Sequence, residues 1–139
     1  MYVIFRTFVS AINFNHHLIL MLNVIVIEDE KPAMESLSQV LGGMPADIFI
    51  KAKLNSVKES IGWFAKKQEA DLVFSEVRLT DGLAFDIFEK TGVALPVIFI
   101  TGDDKYIMRA FETNGIDYLL KPLDKKDIKK AIDNYNSLR

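Results

Sequence analysis

Residues 22–30 read LNVIVIEDE, a run of apolar, mostly β-branched residues that stops at three acids. The run is short and does not alternate, which is the pattern of a strand covered on both faces, and it predicts a strand over Leu22–Ile27. A strand buried on both sides needs helices above and below it. The chain around it supplies them in alternation.

After the acids comes an amphipathic stretch with Ala33, Leu37, Val40 and Leu41 on one face, stopped by Gly42 and Gly43. A weaker strand is predicted over Asp47–Ala52. Asn55 or Ser56 then caps a helix with Val57, Ile61, Phe64, Ala65 and Gln68 along one face. A third strand is predicted over Leu72–Val77, and a third helix over Gly82–Lys90 with Leu83, Ile87 and Phe88 inward. Pro96–Thr101 is the fourth strand, followed by a helix over Asp104–Thr113 with Ile107, Ala110 and Phe111 inward. Asp117–Leu120 is a fifth, short strand. Asp124 caps a last helix carrying Ile128, Ala131, Ile132, Tyr135 and Leu138 at helical spacing. Five strands alternating with five helices predict a doubly wound α/β fold with a parallel sheet.

The 139 residues suit one domain, and 50% hydrophobic with 26% charged residues is a globular balance, not a disordered one. A net charge of −2 does not point to nucleic acid. With no cysteine, a disulfide scaffold, a thiolate zinc site, an iron–sulfur cluster and a Cys nucleophile are all excluded. Residues 1–20 are apolar but interrupted by Arg6, Asn13, Asn15, His16 and His17. They lack the clean run of a spanning helix and the basic start of a signal peptide, so no membrane role is expected. They read as an N-terminal extension to a domain over residues 21–139, and Met21 is a plausible alternative start.

In an open parallel sheet the site lies beyond the carboxyl ends of the strands. Those ends carry Glu28, Asp29 and Glu30 after the first strand, Glu76 at the third, Thr101 at the fourth and Lys121 after the fifth. Carboxylates brought together repel, and a hard divalent cation such as Mg2+ relieves the repulsion through oxygen ligands. Lys121 offers a mobile cation to an anionic ligand. Singly, each residue is ordinary as a helix cap, turn or loop residue; their joint placement at one edge favours a site.

VIVIEDE, DLVFSEVRLTDG, PVIFITGDD and IDYLLKP, in that order, resemble the response regulator receiver domain of two-component signalling, and AFETNGIDYLLKPLDKKDIKKAI is most similar to receivers of the LytTR class. The resemblance covers about residues 22–135. It implies a flavodoxin-like sheet of order 2-1-3-4-5 and a weakly held Mg2+ or Mn2+. Asp29 would bind the cation directly, Glu28 largely through water, and Glu76 and the Arg78 carbonyl would complete the set. The resemblance also implies that Thr101 and Lys121 contact a phosphoryl group and that Tyr118 is the aromatic switch. A sensor histidine kinase in the cytoplasm is the implied partner.

One position departs from the pattern. Where these receivers carry the phosphoaccepting Asp, this chain has Glu76. Its carboxylate reaches one methylene further, and ~1 Å of misplacement in an in-line attack can cost ~100-fold in rate. Four readings follow: Glu76 mimics the activated state, the domain is a degenerate receiver kept for protein contacts, the residue is an introduced substitution, or Glu76 only pairs with Lys121. Ser75 is polar where an apolar residue is usual, and Thr80 replaces the usual Pro, a change expected to affect loop stiffness and not chemistry.

A flavodoxin-like phosphotransferase is the enzymatic rival. The chain lacks an Asp-x-Asp nucleophile motif, a Gly-rich phosphate loop and a Ser-His pair, so a regulatory domain is expected and not an enzyme. The last helix is basic, but interleaved charge near a helix C-terminus is usually a solvated face. DNA contact is assigned to a separate domain absent from this chain, as in LytTR regulators. The chain is thus read as a stand-alone receiver or the isolated N-terminal part of a transcriptional regulator. A homodimer is expected through the fourth helix, fifth strand and last helix. Lys125, Lys126, Lys129 and Lys130 there face Asp103, Asp104 and Glu112 across a two-fold axis.

Overall fold

A computed structural model of the chain describes residues 21–45 and 47–138. The N-terminal extension, with His16 and His17, lies outside the described residues. In chain order the main elements are β1 (Leu22–Ile27), α1 (Lys31–Gly42), β2 (Ile48–Leu54), α2 (Val57–Ala65), β3 (Leu72–Glu76), α3 (Phe85–Thr91), β4 (Val97–Thr101), α4 (Ile107–Glu112), β5 (Gly115–Leu120) and α5 (Lys125–Ser137). The five strands form one sheet, parallel as the alternation predicted and of order β2-β1-β3-β4-β5 as the resemblance implied.

Alternate residues of the central strands feed two cores. Val24, Val26, Leu72, Phe74, Ile98 and Ile100 pack with Leu37 and Leu41 of α1 and with Ile128, Ala131, Ile132 and Tyr135 of α5. Ile25, Ile27, Val73 and Phe99 pack on the other face with Phe64 of α2, with Phe85, Ile87 and Phe88 of α3, and with Ala110 of α4. Helix starts follow the expected chemistry. Ser56 Oγ accepts the Glu59 N–H at 3.0 Å, and the Asp124 carboxylate accepts the Lys126 N–H at 2.9 Å.

Several expectations are corrected. The helix predicted from Gly82 begins at Phe85. Before it, Arg78–Leu79 and Gly82–Leu83 pair as a small antiparallel hairpin, with Gly82 at φ 149°, a conformation open to glycine but not to a helix. Leu83 therefore packs from the hairpin. The helix predicted over Asp104–Thr113 divides into a 3-10 turn over Asp104–Tyr106 and the short α4. Its Ile107 and Phe111 point outward, 42% and 51% exposed, while Ala110 is fully buried. The cause is close approach: a Cβ at Gly115 would lie 2.4 Å from the Ala110 carbonyl oxygen, so only small residues fit where α4 meets β5. Ala65 and Leu138 also lie on the surface rather than inward. Strand limits shift by a few residues, as the ends of β2 and β5 show.

Candidate functional site

The carboxyl ends of β1, β3, β4 and β5 bring the predicted residues to one edge. Glu28 leaves β1 almost fully buried and accepts the Glu30 N–H at 3.3 Å and the Lys121 ammonium at 2.6 Å. Glu76 ends β3; its Oε1 accepts the buried Thr101 hydroxyl at 3.4 Å, and its Oε2 lies 3.9 Å from Lys121 Nζ. That Oε2 is shut off from solvent and has no hydrogen-bond partner. Lys121 follows β5 and is anchored by its own N–H, which donates to the Thr101 carbonyl at 2.8 Å. Ser75, the unexpected polar residue of β3, is satisfied locally by donating to the Glu76 carbonyl at 2.8 Å.

The electrostatics follow from this packing. Burial pushes the Glu76 carboxyl up to about 7, against the pull of Lys121 and with the help of Glu28. Burial alone would lower the Lys121 ammonium; its hydrogen bond to Glu28 and the charges of Glu76 and Glu28 outweigh that and raise it. Tyr118 donates its hydroxyl to the Asp103 carbonyl, and burial together with the charge of Asp103 pushes its phenol up to about 12.

The expected trio of converging carboxylates is not gathered. Asp29 Oδ2 accepts the Thr80 hydroxyl at 2.8 Å, while Glu28 is committed to Lys121. Among the described residues no three acids or histidines are grouped closely enough to hold a metal ion. As arranged, the edge does not fit a divalent cation: the ammonium and the hydroxyl hold two of the carboxylates it would need.

Thr80 thus touches the site chemistry, which its description as a loop-stiffness change missed. The only sequence signal was its place four residues beyond Glu76. Two further contacts were not foreseen. The Arg78 guanidinium reaches from the hairpin to donate to the Tyr106 hydroxyl at 3.0 Å. The Asp81 carboxylate accepts the N–H groups of Val57 and Lys58 at 2.8 and 3.0 Å, capping α2 from outside its own segment and lowering the Asp81 pKa. Of the predicted interface charges, Lys125, Asp104 and Glu112 are exposed, and Lys129 pairs with Asp133 of its own helix at 3.5 Å. The same side of the molecule also exposes Met108 and Leu120, 71% and 50%.

Comparison with known proteins places the fold in a family. The response regulator receiver domain family matches residues 24–133. The sensory transduction protein LytT of Enterococcus faecalis is 33% identical over 115 residues, 81% of this chain and 47% of that protein. The transcriptional regulatory protein BtsR of Salmonella typhimurium is 32% identical over 119 residues, 81% of this chain and 47% of that protein. This chain therefore spans about half the length of such relatives. Among solved structures, the response regulatory domain of mrkE from Klebsiella pneumoniae superposes with a TM-score of 0.74 at 21% identity, covering 84% of this chain and 97% of that one. With the family model matching residues 24–133 and relatives above 30% identity, this chain belongs to the response regulator receiver domain family.

Proposed function

We propose that this chain is the receiver of a two-component transcriptional regulator, served by a sensor histidine kinase in the cytoplasm, in which Glu76 stands in for the phosphorylated acceptor. One observation carries the reading. The Thr101 hydroxyl and the Lys121 ammonium, the two groups expected to contact a phosphoryl group, both reach Glu76, at 3.4 and 3.9 Å. The longer side chain places carboxylate oxygens where the added group would sit. The inward hydrogen bond of Tyr118 to Asp103 is consistent with an engaged switch.

A second reading has its own support. Lys121 is closer to Glu28 than to Glu76, 2.6 against 3.9 Å, which favours a degenerate receiver kept as a protein-interaction module. Both readings place the contact surface on α4, β5 and α5, where Ile107, Met108, Phe111 and Leu120 are exposed beside the charges of α5. A homodimer is our reading of that surface. Receiver domains are regulatory signalling domains that generally bind Mg2+ at the acidic site. A weak Mg2+ or Mn2+ site on Asp29, Glu76 and the Arg78 carbonyl, with Glu28 behind them, would require rearrangement of the edge, beginning with release of the Thr80 hydroxyl from Asp29. No helix among the described residues is long and apolar enough to cross a membrane.

Acetyl phosphate followed by intact-mass measurement tests the acceptor assignment. The unmodified chain is expected to take no phosphoryl group and Glu76→Asp to take one. A phosphoryl adduct on the unmodified chain overturns the geometric argument. Failure of Glu76→Asp to label favours the degenerate receiver.

A further inference from the structure

The hairpin after β3 is held on two sides. Leu79 is buried, and the Asp81 carboxylate is bound to two N–H groups at the start of α2. Thr80 lies between these anchors, so its backbone is already placed and little entropy is lost when the side chain forms a bond. Its hydroxyl donates to Asp29 Oδ2 at 2.8 Å, joining segments 51 residues apart. A hydroxyl offered this way to an ionised carboxylate satisfies part of the demand that a cation would otherwise meet.

We infer that Thr80 is a built-in competitor for a divalent cation at the acidic edge, engaging Asp29 and keeping the carboxylates from gathering around an ion. The inference rests on the receiver reading only in placing the cation at this edge. Lys121 does the same for Glu28, but Lys121 also supports the fold through a buried pair, whereas Thr80 is exposed and replaceable. One exposed side chain therefore sets how readily the edge accepts an ion, and the bond it forms is worth a factor of about two to ten in that affinity.

Mn2+ titration, with free Mn2+ read by electron paramagnetic resonance at low salt, tests this on the folded chain. Thr80→Ala is expected to bind Mn2+ about two- to tenfold more tightly than the unmodified chain. Thr80→Ser keeps the hydroxyl and is expected to match the unmodified chain. Asp29→Asn is expected to remove the binding in either background. The inference is overturned if Thr80→Ala binds no more tightly, if Thr80→Ser matches Thr80→Ala, if Asp29→Asn leaves the binding intact, or if no variant binds Mn2+ at tens of millimolar. A Thr80→Ala variant that binds Mn2+ no more tightly overturns this inference yet leaves Glu76→Asp free to take a phosphoryl group, so the two readings fail separately, whereas the absence of any Mn2+ binding counts against both.

Discussion

Lys121 and Glu28 form an ion pair at 2.6 Å although β5 and β1 are separated in the sheet by β4 and β3. The lysine side chain crosses the ends of both intervening strands and passes Glu76 on the way. It holds the acidic edge together from within: one ammonium serves two carboxylates, one of them almost fully buried. Removing one partner of such a pair is costly because the other is left charged and desolvated.

Lys121→Met is expected to destabilise the fold by about 3 kcal/mol, the low end of the ~3–5 kcal/mol range for breaking a buried pair, because the lysine is 26% exposed. Adding Glu28→Gln should recover part of the loss, since the stranded carboxylate is then gone. Urea unfolding of the two single variants and the double variant measures the coupling directly. Equal and additive losses would mean the pair does not act as a unit.

Glu76 makes stability depend on pH. Its carboxyl is raised to about 7 in the fold from 4.5. Between these values the folded chain binds more protons than the unfolded one, so stability falls as pH rises through that window and levels off above it. Glu76→Gln should flatten this slope. Thermal unfolding at pH 5 and pH 8 checks it; a melting temperature in the parent chain that rises between these values, with the rise kept in Glu76→Gln, would locate the pH response elsewhere.

Self-association should follow the α4–β5–α5 surface. Met108→Glu or Phe111→Glu is expected to leave the fold intact and convert a dimer to a monomer in sedimentation at tens of micromolar. High salt should weaken the dimer to the extent that the opposite charges of α4 and α5 pair across it, because exposed pairs are screened. A chain that is monomeric at low salt, and unchanged by Glu76→Ala, argues against both the dimer and the mimicry.

Gly115→Ala should destabilise the domain by about 1–3 kcal/mol, the usual range for overpacking. The added methyl would stand 2.4 Å from the Ala110 carbonyl oxygen, so α4 would have to move off β5. Chemical denaturation measures the loss, and Gly62→Ala, exposed in α2 with nothing within 4 Å, is the control expected to stabilise by about 0.5–1 kcal/mol through helix propensity.

Much of this architecture is legible in the sequence alone. The runs at Leu22–Ile27 and Val97–Thr101 are unbroken because both faces are buried, and local pattern is enough to show that. The placement of Glu28, Glu76, Thr101 and Lys121 at strand ends follows from the same alternation. Less legible were the segments whose conformation depends on a distant partner. Ile107 and Phe111 have core-like spacing, yet the narrow gap between Ala110 and Gly115 turns α4 so that they face solvent. Gly82 and Leu83 read as the start of a helix until hairpin pairing claims them.

By itself the chain determined the order of elements, the parallel sheet and the set of side chains delivered to its carboxyl edge, because hydrophobic period and strand ends are local properties. Tertiary structure decided which of those side chains pair. Lys121 chooses between Glu28 and Glu76, and Asp29 between Thr80 and a cation, by distances across the sheet edge and by burial. Neither is encoded in the spacing of residues along one segment.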